Sequence, residues 1–133
     1  MEIKTLTLQE AFDKVLAHSR AMTHQSSEPD TKGPEYIPNC LYRASDGNKC
    51  FAGALIPDEL YKPEFEKVGI RGLIEKYPEI AKLLIGESGE VSSEGYFYRL
   101  MQSIHDDHFD KREEELASLA KKFNLEYSSP EAV

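Results

Sequence analysis

Cys40-Leu41-Tyr42-Arg43-Ala44-Ser45-Asp46-Gly47-Asn48-Lys49-Cys50-Phe51 is the one stretch of this chain that reads neither as helix nor as loop. Cys40 to Arg43 has the composition of a short strand, and Ser45 to Asn48 that of a turn. Asp46-Gly47 suits a tight hairpin turn, because such turns need residues at positive φ. Lys49 to Phe51 then reads as the returning strand, giving a hairpin over residues 40 to 51. Centred on Asp46-Gly47, its register sets Arg43 opposite Cys50. Cys40 and Cys50 are then not cross-strand partners, and no disulfide is expected between them.

Outside this segment the signals are helical. Thr7 and Glu10 have the spacing of a capping box, and Leu8, Ala11, Phe12, Val15, Leu16 and Met22 follow at helical intervals. A first helix is expected over 7 to 22. Residues 23 to 39 carry Pro29, Pro34, Pro38 and Gly33 without periodicity, and read as a flexible loop or, through Pro34-Glu35-Tyr36-Ile37, a binding loop.

Beyond the hairpin, Ala52-Gly53-Ala54-Leu55-Ile56 is small and apolar, as expected where backbone packs closely on a helix. Pro57-Asp58-Glu59 has the chemistry of a helical first turn, stopped by Pro63. Ile70, Leu73, Ile74 and Tyr77 form a stripe that Pro78 interrupts, and Pro78 to Leu84 resumes as a second short helix. Gly86 to Gly89 is a polar connector. Phe97, Leu100, Met101 and Ile104 make the next stripe, and Leu116, Leu119, Ala120 and Phe123 the last, with Asp110 to Glu113 resembling its capping signal. Residues 128 to 133 read as frayed. The expected fold is thus α+β, a mainly helical single domain over 1–133, with four to five helices and one small β-hairpin.

Composition bounds the function. A chain of 133 residues holds one core, and 40% hydrophobic against 30% charged residues is ordinary for a folded protein. With 24 acidic and 16 basic residues the net charge is -8, the wrong sign for gripping phosphate backbones. Neither nucleic acid nor an anionic membrane is expected as a direct partner. No apolar run approaches a bilayer-spanning length, and Met1-Glu2-Ile3-Lys4-Thr5 does not open a secretory signal. Two cysteines make no secreted disulfide framework, so a reducing cytoplasm is expected.

Cys40-x-Tyr42-Arg43, Gly47-x-Lys49-Cys50 and Gly53-x-Leu55-Ile56-Pro57-Asp58, with the leading residues 7 to 12 and a late Gln102-x-x-His105-Asp106, form a recognisable set. It resembles a family of small, uncharacterised bacteriophage and prophage proteins. The resemblance covers most of the chain, with 23 to 39 as the variable insert. It implies a phage or prophage accessory protein at work in the host bacterial cytoplasm, and brings no activity with it.

Several groupings have chemical potential. His105 and His108, three apart, are metal candidates if both project from one side of a helix, although a histidine there more often packs or caps a helix end. Cys40 and Cys50 lack the close spacing of zinc ligands. Cys50 with His105 and Asp106 has the residue types of a nucleophilic triad but no nucleophile elbow, so no catalytic residue is assigned. Tyr42-Arg43, Tyr61-Lys62 and Tyr98-Arg99 place aromatics beside cations, suited to a nucleotide-like ligand held by Tyr42, Arg43, Lys49 and Arg99 or simply to the edges of elements. Asp106, Asp107, Asp110, Glu113, Glu114 and Glu115 form an acidic cluster, ordinarily a solvated face and otherwise a surface for a partner. The leading expectation is a non-enzymatic accessory protein, without cofactor, that binds a host protein and counters host defence. The alternatives are a protein that sequesters a nucleotide-like signal and a small metal-dependent enzyme.

Overall fold

The computed structural model describes residues 3–24, 27–29, 38–44, 47–66, 68–86 and 94–128. The described residues form six α-helices: α1 (Leu8–Ala21), α2 (Phe51–Leu55), α3 (Ile70–Lys76), α4 (Pro78–Leu84), α5 (Glu94–Asp107) and α6 (Arg112–Lys122). The class is all-α, which overturns the α+β expectation. Extended pairing among the described residues amounts to Ser27–Pro29 against Pro38–Cys40, with Pro29 opposite Pro38, and one isolated bridge between Arg43 and Lys49. Pairs this short form no layer of the core.

The predicted hairpin over 40 to 51 fails at its return strand. Cys50 does not continue in a ladder but caps α2, its Sγ accepting the Gly53 N–H at 3.3 Å. Phe51, Ala52, Gly53 and Leu55 are buried in that helix. A short apolar run satisfies a buried strand or a buried helix equally well by pattern. Here the run lies between α1 and α5, where a helix satisfies its own backbone groups. Gly47 stands at φ 89°, and the register is one residue tighter than expected, because Arg43 pairs with Lys49 rather than Cys50. Ser45 and Asp46 of the expected turn lie outside the described residues.

Elsewhere local chemistry acts as read. Thr7 Oγ1 accepts the Glu10 N–H at 3.0 Å and Glu10 Oε1 accepts the Thr7 N–H at 3.0 Å, closing the capping box of α1. Tyr77, extended at φ -117° and ψ 107° before Pro78, separates α3 from α4. Two caps differ from expectation. Pro57 to Tyr61 closes only a single turn, with the Leu60 and Tyr61 amides on the Pro57 carbonyl. Asp110 does not cap α6. A 3-10 turn over Phe109–Lys111 leads into that helix instead, and Glu113, Glu114 and Glu115 in its first turn suit the positive end of its dipole. Of the frayed end expected from 128, Ser128 is described: its carbonyl accepts from Arg20 Nη2.

α5 is the central helix, touching α2, α3 and α6, while α1 covers α2 and α6. Phe97, Tyr98 and Met101 on α5 are fully buried with Phe12 of α1 and Phe51 of α2. Two polar side chains share that face, His105 and Gln102. No helix among the described residues is long and apolar enough to cross a membrane.

Candidate functional site

Gln102, His105 and Asp106 meet α2 in one hydrogen-bonded network. Gln102 Oε1 accepts the Ala52 N–H at 2.9 Å, and its Nε2 donates to Asp106 Oδ1 at 2.9 Å. His105 Nδ1 lies 2.8 Å from the same oxygen. The His105 ring has 0% exposure and stands edge-on to Phe51 at 5.3 Å and Phe109 at 5.5 Å. Ala52 lies in the first turn of α2, where amides lack helical partners, so Gln102 supplies one from across the core.

A cavity of about 190 Å³ opens beside this network, lined by Tyr42, Cys50, Val68, Gly69, Ile70, Gln102 and Asp106. Its polar groups are committed. Tyr42 Oη donates to the Val68 carbonyl, and burial pushes the Tyr42 phenol far above its ordinary range. Burial likewise pushes the Cys50 thiol up to about 12, so it stays protonated and a poor nucleophile near neutral pH. The residue types of a triad do come near one another, but the thiol is deactivated where it sits.

His105 and His108 separate. α5 ends at Asp107, and His108 adopts φ -133° and ψ 32°, so the helical spacing that would align them ends before the second imidazole. One ring is in the core and the other is exposed. No group of three or more His, Cys, Asp or Glu side chains among the described residues is arranged to hold a metal ion.

Tyr42, Arg43 and Lys49 come together, without Arg99. Glu66 binds the strand-like segment by accepting the Tyr42 N–H at 2.9 Å and the Arg43 N–H at 3.1 Å, and also accepts Tyr61 Oη at 2.6 Å. The Arg43 guanidinium lies 4.5 Å from the Tyr61 ring centroid, donates to the Ile56 carbonyl at 2.8 Å and meets Asp58 at 2.8 Å. Lys49 Nζ reaches the same Asp58 oxygen at 3.9 Å. Arg99 instead lies over Tyr96, one turn back on α5, on the side where Tyr96 meets Lys122 and Phe123 of the α6 end.

The acidic cluster also divides. Asp106 belongs to the buried network, and Glu113 takes a two-pronged hydrogen bond from Arg20 at 3.0 and 2.9 Å, joined by Tyr127 Oη. Asp107 accepts from Ser103 Oγ at 3.2 Å. Asp110 and Glu114 are exposed. Asp106, Asp107 and Asp110 line an open depression of about 600 Å³ together with Thr23, His24, His108, Phe109 and Lys111. Asp110 also borders a second depression of about 420 Å³, with Ser19, Arg20, Arg112 and Glu113.

Sequence reasoning missed Arg112 and Glu66. Arg112 donates to the Ser19 carbonyl at 3.1 Å and the Met22 carbonyl at 2.9 Å, closing the C-terminal end of α1, and stacks 4.0 Å from the Phe109 centroid. Nothing local marks either residue, since each acts on backbone far along the chain. No family model matches this chain, and neither a curated protein nor a solved structure matches it.

Proposed function

We propose that this protein is a non-enzymatic phage or prophage accessory protein that binds a basic surface of a host protein through the junction of α5 and α6. The observation that carries the reading is the division of the polar groups. Those with catalytic potential, Cys50, Gln102, His105 and Asp106, are occupied in the buried network. Asp107 and Asp110 border the large depression, and they and Glu114 of the first turn of α6 are exposed. A surplus of carboxylates on such a face, in a chain of net charge -8, attracts a cationic partner and speeds its encounter. The resemblance to phage proteins puts that partner in the host bacterial cytoplasm, with defence proteins the first class to examine.

Affinity capture of the tagged protein from bacterial lysate tests this. One enriched host protein is expected, released by raised salt and lost when Asp107, Asp110 and Glu114 are changed together to Lys. Equal capture by the wild type and that triple variant would overturn the acidic surface as the contact. An empty capture would overturn the partner-binding reading itself.

A further inference from the structure

We propose that Arg43 and Lys49 form a binding site for the phosphoryl group of a small soluble ligand, and that the carboxylate of Asp58 occupies the place of that group in the free protein. The Arg43 guanidinium is held from several sides. Tyr61 covers one face at 4.5 Å, and Ile56 takes a hydrogen bond at 2.8 Å, leaving the side chain 20% exposed. A guanidinium fixed in this way has lost its rotamer freedom before any ligand arrives. Its outward edge, Nη1, meets Asp58, and Lys49 converges on the same oxygen.

Asp58 is the weak member of the trio. Its side chain is 77% exposed, and it lies in the turn after Pro57 rather than in a helix. An exposed ion pair contributes little, so exchanging Asp58 for an external anion costs little. A phosphoryl group brings up to two charges and three acceptor oxygens, enough to engage the Arg43 edge and the Lys49 ammonium together. The site is separate from the acidic face at the α5–α6 junction, and its test does not depend on a partner protein.

The experiment is calorimetric titration of the full chain with inorganic phosphate, beside the variants Asp58→Asn, Lys49→Gln and Glu59→Gln. Asp58→Asn should tighten phosphate binding by about fivefold, the release of one exposed ion pair. Lys49→Gln should weaken it. Glu59→Gln removes an equal charge from the neighbouring exposed position and should leave binding unchanged. All three substituted positions are at the surface or in the turn, so circular dichroism should report the same helical fold throughout. No heat of binding in either the wild type or Asp58→Asn would overturn the proposal. An equal gain from Asp58→Asn and Glu59→Gln would also overturn it, by reducing the effect to net charge.

Discussion

Asp106 and Glu113 are seven residues apart, equally exposed at 33% and 34%, and each accepts hydrogen bonds from two side chains. Their partners differ. Asp106 is met by Gln102 at 9% exposure and His105 at 0%, and through Gln102 it is joined to the first turn of α2. Glu113 is met by Arg20 at 32% exposure and by Tyr127, tying α1 and the C-terminal segment to α6 at the surface. A carboxylate's own exposure therefore does not set its weight. A partner that loses Asp106 is left in the core without solvent to replace it, whereas Arg20 turns to water.

The largest effect is expected at the buried end. A Cβ on Gly53 would stand 2.0 Å from the Tyr42 carbonyl oxygen, which is backbone and has no room to yield. Gly53→Ala should therefore destabilise the protein by about 3 kcal/mol in denaturant unfolding, at the upper end of core overpacking. A loss under one third of that would mean that α2 can slide away from Tyr42. Next comes Gln102→Leu, which strands the Ala52 N–H and removes a donor from Asp106. About 2 kcal/mol is expected from the same measurement.

Glu113→Gln is the smallest, at most about 1 kcal/mol, because its ion pair is partly open to water. If it equals Gln102→Leu, the contrast between the two carboxylates is broken. Acid sharpens it. The Arg20 hydrogen bonds hold the Glu113 carboxyl below its ordinary value of 4.5. Its contribution is therefore present above that pH and lost as pH falls below it. The difference in melting temperature between wild type and Glu113→Gln should close on acidification through that range.

Much of the helical layout was legible because its causes are local. A hydroxyl three residues before a carboxylate closes the start of α1 wherever that helix packs, and a proline at 78 breaks the stripe between α3 and α4 by sterics alone. Cys50 was misread for the opposite reason. Lys49-Cys50-Phe51 suits a return strand as well as a helix entry, and only the Gly53 amide against Sγ and the space between α1 and α5 choose between them. The histidine pair failed through a boundary, since three residues of spacing align two imidazoles only while the helix continues, and α5 stops between them.

Local patterning thus specified an acidic protein built around helical stripes, with most of its helix starts and stops. Those features depend on contacts within a few residues. Tertiary structure alone decided that the 40 to 51 segment enters a helix rather than a sheet, that His105 and Asp106 serve the core, and that Arg43 meets Asp58 while Arg99 does not join them. Each of those outcomes joins residues distant along the chain, or turns on which face of a helix is covered, and periodicity carries no information about what lies opposite.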